Sequence, residues 1–292
     1  MAWRSTLRFI RYYDWLLVSA AVVLCAFSLA ALYGIATGLE TPDFGNLRKQ
    51  TLFIGLGLAA MASVSALNVQ RLRQYAVIGY ALAAALLAAV LLFGQTRRGT
   101  TGWFTFGPVG FQPVELAKLA LVVLLARLLA DRQNGGGLSW RQLGTTGAAT
   151  LAYGGLTLLQ PDFGSAMLLL MLWFGMVFFA GITARQVRAI LALVLVGGAI
   201  GWGFFLQDYQ RDRIITFLNP AADPLGRGYQ VRQSIIAVGA GQLLGRGLGS
   251  GSQSQLKFIP ASQTDFIFSV IAEELGFLGA AVVLAAYLIL LV

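Results

Sequence analysis

The chain has 292 residues, 58% of them hydrophobic and 35 of them glycine, with a net charge of +9 and a mean hydropathy of +0.74. That balance is too apolar for the surface of a soluble globule and marks a membrane protein. There is no histidine and a single cysteine, Cys25, which excludes a histidine base, a Ser-His-Asp triad, a histidine- or cysteine-built metal site and an internal disulfide. Acid-base chemistry is left to Asp, Glu, Lys or Tyr.

Apolar runs long enough to cross a hydrocarbon core of roughly 30 Å recur along the whole length. The first reads as a retained helix, not a cleaved signal. The expected architecture is an all-α polytopic membrane protein with about eight spans, near residues 15–34, 51–67, 75–94, 113–130, 143–159, 164–181, 188–206 and 264–292. No soluble domain interrupts them, so residues 1–292 are read as one membrane domain.

Basic residues set the orientation. Arg4, Arg8 and Arg11 precede the first span, Arg71 and Arg73 follow the second, Arg127, Arg132 and Arg141 follow the fourth, and Arg185 and Arg188 follow the sixth. These segments are cytoplasmic by the positive-inside rule, with the N-terminus inside. Segments 35–50, 95–112, the turn at 160–164 and the long connection 207–263 then lie outside. Of the twelve acids, only Asp14 and Asp131 sit near the cytoplasmic face, so any chemistry is expected to be extracytoplasmic.

The 207–263 loop carries Arg211, Arg213, Arg227, Arg232, Arg246 and Lys257. Long loops cross regardless of charge, so a solvated surface and a docking site for an anion are both open readings. Its apolar stretches, IITFLNP and YQVRQSIIAVGAGQLLG, suggest interfacial helices and re-entrant backbone lining a cavity. Gly239, Gly241, Gly245, Gly247, Gly249 and Gly251 would let that backbone approach a ligand closely.

Ionisable groups inside spans usually face a bundle interior or a wet cavity. Glu115 and Lys118, just after Pro113 at a first-turn position, are three apart and share a helix face. They read either as an ion pair that locks packing or as a counter-charge and its orienter. Asp162, after Pro161, reads as the N-cap of the sixth span. Asp265 stands at the mouth of the last span between Phe266 and Phe268, whose apolar bulk would lift its pKa toward that of a general base. Glu273 and Glu274 lie deeper on different sides of the same helix, which points to structural partners for a backbone end or a basic group.

Four segments then resemble one family: RRGTTGWFTFGPVGFQPVELAKLAL, LLQPDFGSAMLL, RIITFLNPAADPLGRGYQVRQSIIAVGAGQLLGRGLG and SQLKFIPASQTDFIFSVIAEELGFLG. In this order they closely resemble the SEDS (shape, elongation, division and sporulation) proteins, from about residue 10 to the end. FLNP and QSQL look more like the elongation branch, RodA, than the division branch, FtsW. The resemblance implies a peptidoglycan glycosyltransferase that polymerises lipid II on the outer face of the bacterial cytoplasmic membrane. It places the family's essential aspartate at Asp265, its outer-loop tryptophan at Trp103, its QPxE…K motif at Gln112, Pro113, Glu115 and Lys118, and its QPD motif at Gln160, Pro161 and Asp162. Three positions depart from the pattern: Ala261 and Gln263 replace a Glu and a His before TDF, and Gly102 replaces an Arg before the tryptophan. Family members generally have ten spans, so two more helices are expected beyond the apolar run AYLILLV.

With that substrate the expected reaction is an inverting displacement in which Asp265 deprotonates the acceptor hydroxyl, and Lys118, Arg211 and Arg213 are the candidate counter-charges for the leaving diphosphate. It also implies a divalent cation, magnesium or manganese, for which the sequence offers no complete ligand set, and as partners lipid II, a class B penicillin-binding protein and other elongation-complex membrane proteins, with no nucleic acid. Rival readings are a lipid II flippase or transporter, a division-type polymerase, and a non-catalytic scaffold. The lack of internal repeats and the gathering of carboxylates at one face favour the enzyme.

Overall fold

A computed structural model describes residues 14–38, 42–97, 99–107, 109–130, 137–205, 211, 215–216, 219, 227–256, 258–259 and 261–292. Arg4, Arg8, Arg11, Asp131, Arg132, Arg213, Lys257 and Pro260 lie outside the described residues. The chain forms two compact units, one from residues up to Ser63 together with those from Phe205 on, the other spanning Val64–Phe204.

The first unit contains α1 (Trp15–Thr37), most of α2 (Gly45–Ser65), α8 (Arg227–Ala240), the short α9 (Ser252–Gln255) and α10 (Ile267–Leu291). Asp14 caps α1, accepting from the amides of Leu16 (3.0 Å) and Leu17 (3.3 Å). α1 packs on α10 through Ala31, Ile35, Val270, Ile271 and Val283, with Leu24 and Phe27 alongside. α2 buries none of its residues; its side chains Gln50 and Asn46 reach Ser28 and Gln263 respectively.

The second unit contains α3 (Val69–Phe93), three short strands, α4 (Pro113–Ala130), α5 (Trp140–Leu159), α6 (Phe163–Phe179) and α7 (Ala184–Ile200), which runs on into a π-helical turn at Gly201–Phe205. Its core joins Leu87 of α3, Val114, Leu121 and Leu125 of α4, Tyr153 of α5 and Leu169 and Val177 of α6. Tyr80 and Tyr153 stack with ring centres 4.3 Å apart and planes 5° from parallel. Each hydroxyl donates to a carbonyl of the opposite helix, Tyr80 to Ala149 (2.8 Å) and Tyr153 to Tyr80 (2.7 Å), so a buried aromatic pair is also fully hydrogen-bonded.

Helices stand at every predicted span. Among the described residues four are by length and composition apolar enough to cross a membrane, Trp15–Thr37, Val69–Phe93, Ala184–Gly203 and Ile267–Leu291, and the apolar Phe163–Phe179 is shorter. α2 and α3 begin six residues earlier than hydropathy placed them, at Gly45 and Val69. The polar residues Arg48, Lys49, Arg71 and Arg73 lower hydropathy yet are good helix formers, and Asp43 and Asn68 cap the true starts through Gly45 N and Gln70 N.

The segment 95–111, expected as a loop, is a three-stranded antiparallel sheet of β1 (Gln95–Arg97), β2 (Thr100–Phe106) and β3 (Val109–Phe111). Arg97 pairs with Thr100 and Phe106 with Val109, so both connections are two-residue turns. Gly99 and Gly107 stand in them at φ 85° and 61°, left-handed values that hairpin turns demand and glycine adopts freely.

Candidate functional site

α10 is not one continuous helix. Gly276 has φ 68° and ψ −166°, a backbone region open essentially to glycine alone. The break frees carbonyls on one side and amides on the other, and the 241–247 loop takes up both. Arg246 N and Gly247 N donate to the carbonyls of Glu273 (3.0 Å) and Glu274 (2.9 Å), while Phe277 N and Leu278 N donate to the carbonyls of Gln242 (2.8 Å) and Leu243 (3.2 Å). Within a membrane span such a break is tolerated only when protein backbone satisfies it in this way.

Three glycines of that segment, Gly241, Gly245 and Gly251, make room for residues of the broken helix. A Cβ at Gly241 would strike the Ala272 carbonyl, one at Gly245 the Glu274 carbonyl, and one at Gly251 the Glu273 carboxylate. At Gly239 a Cβ meets nothing within 4 Å. The 241–247 loop is thus held backbone to backbone against the chain's own broken helix.

The three carboxylates of α10 and its approach have three different environments. Glu273, fully buried, accepts from Gln253 N (2.8 Å) and Ser254 N (3.1 Å) and so caps the turn that opens α9. Glu274, equally buried, lies with its carboxylate against Gly34 of α1, near the Gly249 amide but with no hydrogen bond of good geometry among the described residues. Asp265 is exposed in the turn before α10, and among the described residues nothing bonds to its side chain. The apolar enclosure expected from Phe266 and Phe268 is absent, because Phe268 is itself exposed. Gln263, two residues earlier, accepts from the Asn46 amide, which commits it to the start of α2.

The second unit assembles the other motif residues. Asp162 caps α6 by accepting from Ser165 N (3.0 Å), and its second oxygen accepts from Ser165 Oγ (2.6 Å) and from Gln112 Nε2 (3.0 Å). Gln160, buried, donates to the Leu87 carbonyl (3.0 Å) and through its own carbonyl accepts from Thr101 N of β2 (3.2 Å). Gly102 lets β2 come this close, since a Cβ there would already stand 3.0 Å from Gln160 Oε1. Trp103, half-buried, is the next residue along this strand. Pro113 opens α4, and two residues on Glu115 begins the salt bridge to Lys118, at 2.8 Å. Lys118 is 22% exposed and Glu115 60%, so the cation is the better sheltered partner.

Arg211 is partly buried in the first unit, and Arg246 is tied to its own loop through the Ala240 carbonyl (3.1 Å) and Ser252 Oγ (3.3 Å). Sequence reasoning missed Ser165, Asn46, Ser254 and the capping of α9 by Glu273. Among these only Ser165 carried a signal, three residues after a capping aspartate. Among the described residues no group of three or more carboxylates or other metal-ligating side chains gathers. Among the described residues the donors on hand, a capped Asp162, a paired Glu115 and a lone Asp265, do not make the oxygen cage that magnesium or manganese takes.

Broken and continuous apolar helices, a small sheet on the QPD turn and an exposed carboxylate at a helix entrance define a polytopic membrane protein with an acid-bearing site. The model of the cell cycle protein family that groups FtsW, RodA and SpoVE matches residues 11–292, and the chain belongs to that family. It is 36% identical over 252 residues to the peptidoglycan glycosyltransferase MrdB of Escherichia coli, covering 85% of this chain and 67% of MrdB. A solved peptidoglycan synthase complex, described as coordinating polymerization and crosslinking, contains a chain similar at TM-score 0.78 and 36% identity, over 96% of this chain and 76% of that one. The rod shape determining protein RodA of Thermus thermophilus is similar at TM-score 0.65 and 30% identity, over 96% of this chain and 73% of that one.

Proposed function

We propose that this chain is a peptidoglycan glycosyltransferase of the bacterial cytoplasmic membrane that extends glycan strands from lipid II at the outer face, in the service of elongation. Membership of a family whose relatives carry that activity supports the reaction class. The observation that carries the chemistry is Asp265: among the carboxylates of α10 and the turn before it, it alone is both exposed and free of partners among the described residues, as a base awaiting a substrate proton must be.

In the proposed step Asp265 takes the proton of the acceptor 4-hydroxyl. The oxygen attacks the anomeric carbon of the donor sugar from the face opposite the diphosphate, the bond to the diphosphate breaks, and the polyprenyl diphosphate leaves with the electron pair. Positioning and electrostatic stabilisation of that anion supply most of the rate. Lys118, held by Glu115, and the loop residues Arg211 and Arg213 are the cations assigned to it. Trp103, Gln112 and Asp162 shape the substrate's seat, with Asp162 acting through the Gln112 amide it holds. No step is routed through a metal.

The likeness to a chain of a synthase complex that couples polymerization with crosslinking supports a class B penicillin-binding protein as partner. The topology assigned is N-terminus inside and Asp265 outside, from the arginines of the intervening turns.

Vesicles containing the protein, with and without the penicillin-binding partner, and labelled lipid II decide between polymerase and flippase. Glycan polymer is the expected product. Transbilayer movement of lipid II without polymer would replace this reading with the transporter.

A further inference from the structure

A groove that the proposed reaction does not use runs along the surface where α3 meets α4. Its volume is about 440 Å³, and Arg71, Leu72, Tyr75 and Gly79 of α3 face Leu119 and Val123 of α4 across it. Leu72, Tyr75 and Leu119 are exposed, and a Cβ on Gly79 would meet nothing within 4 Å, so the floor stands open. From Arg71 to Gly79 is eight residues, about 12 Å of helix, which gives the slot an apolar length with a cation at one end. Arg71 is exposed, and among the described residues no acid pairs with it. The neighbouring Arg127 is committed elsewhere, donating to the carbonyls of Arg73 and Gln74 at 3.2 Å each.

An apolar slot on a membrane helix pair is filled by hydrocarbon, because water finds no polar partners on such a floor. A free guanidinium at its end adds a requirement for an anion within reach of that hydrocarbon. We propose that the groove binds one acyl chain of an anionic phospholipid whose phosphate engages Arg71. The site lies within the second unit and does not involve Asp265, so it stands whether or not the polymerase reading holds.

The test uses the full-length protein in nanodiscs of equal dioleoyl phosphatidylglycerol and dioleoyl phosphatidylcholine, released for native mass spectrometry. The wild type is expected to retain one phosphatidylglycerol with about a fivefold preference over phosphatidylcholine, the worth of one arginine near an anionic lipid surface. Arg71→Gln brings that preference to parity. Gly79→Leu fills the slot and removes the retained lipid of either kind. Phosphatidylglycerol held by Arg71→Gln as by the wild type would overturn the proposal, as would lipid retained unchanged by Gly79→Leu. A wild type that retains no phosphatidylglycerol, while Gly79→Leu weakens association with the penicillin-binding partner, would also overturn it, by giving the groove a protein occupant. Should Gly79→Leu fail to fold, the exposed Arg71 decides alone.

Discussion

Two acid-bearing regions of the molecule handle the same difficulty in opposite ways. Around the QPD turn every polar group has local work: Asp162 takes three hydrogen bonds and Gln160 joins α3 to β2. Around α10 the work is divided. Glu273 spends both oxygens on backbone amides, Glu274 is buried with neither oxygen bonded among the described residues, and Asp265 is exposed with no partner. A carboxylate that stabilises the fold has its lone pairs occupied, whereas one meant for a substrate must keep them available. Exposure completes the contrast: Glu274 is buried, so of the three acids around α10 only Asp265 is both unpartnered and open to a substrate.

Substitutions can break that contrast, and their effects on stability should fall in a definite order. Gly276→Ala meets both a forbidden backbone geometry and the backbone of Gly245 and Leu243. It is expected to cost about 4 kcal/mol or to prevent folding altogether, read as thermal unfolding in detergent. Glu273→Ala should follow at about 3 kcal/mol, since it strips two amides of charge-assisted bonds, and Glu273→Gln should restore roughly half of that. Tyr153→Phe, which removes a single hydrogen bond but keeps the stack on Tyr80, should cost about 1 kcal/mol. Glu115→Ala should change stability least, by under about 0.5 kcal/mol, because its carboxylate is largely exposed. The same Glu115 change should lower polymerisation several-fold if Lys118 needs its orienter, and equal rates would remove the pair from the site.

What could be read from the sequence follows from what signals are strong. The spans were legible because apolar length is unambiguous, and Asp162 was legible as a cap because Pro-Asp immediately precedes an apolar run. The starts of α2 and α3 were not, since arginine and lysine in a first turn look like loop to a hydropathy scale. The sheet at 95–111 was hidden because its strands are short and joined by two-residue turns, although TTGWFTF followed by a glycine has strand character. The break at Gly276 left no trace: a glycine in an apolar helix lowers helix preference by only about 1 kcal/mol, and what decides its conformation is a loop some thirty residues earlier, around Gly241 and Gly245. The same holds for Asp265. Phe266 and Phe268 suggested enclosure, but the direction in which they point is set by the turn at 261–266 and by the α1–α10 packing, which no local pattern encodes.

The central claim, that Asp265 is the reactive acid and Asp162 a structural one, is tested most directly by comparing Asp265→Asn with Asp162→Asn on labelled lipid II, with thermal unfolding recorded on the same samples. The account predicts that Asp265→Asn loses polymer by at least about a hundredfold with an unchanged unfolding temperature, while Asp162→Asn unfolds earlier. Polymer from Asp265→Asn at the native rate would contradict it.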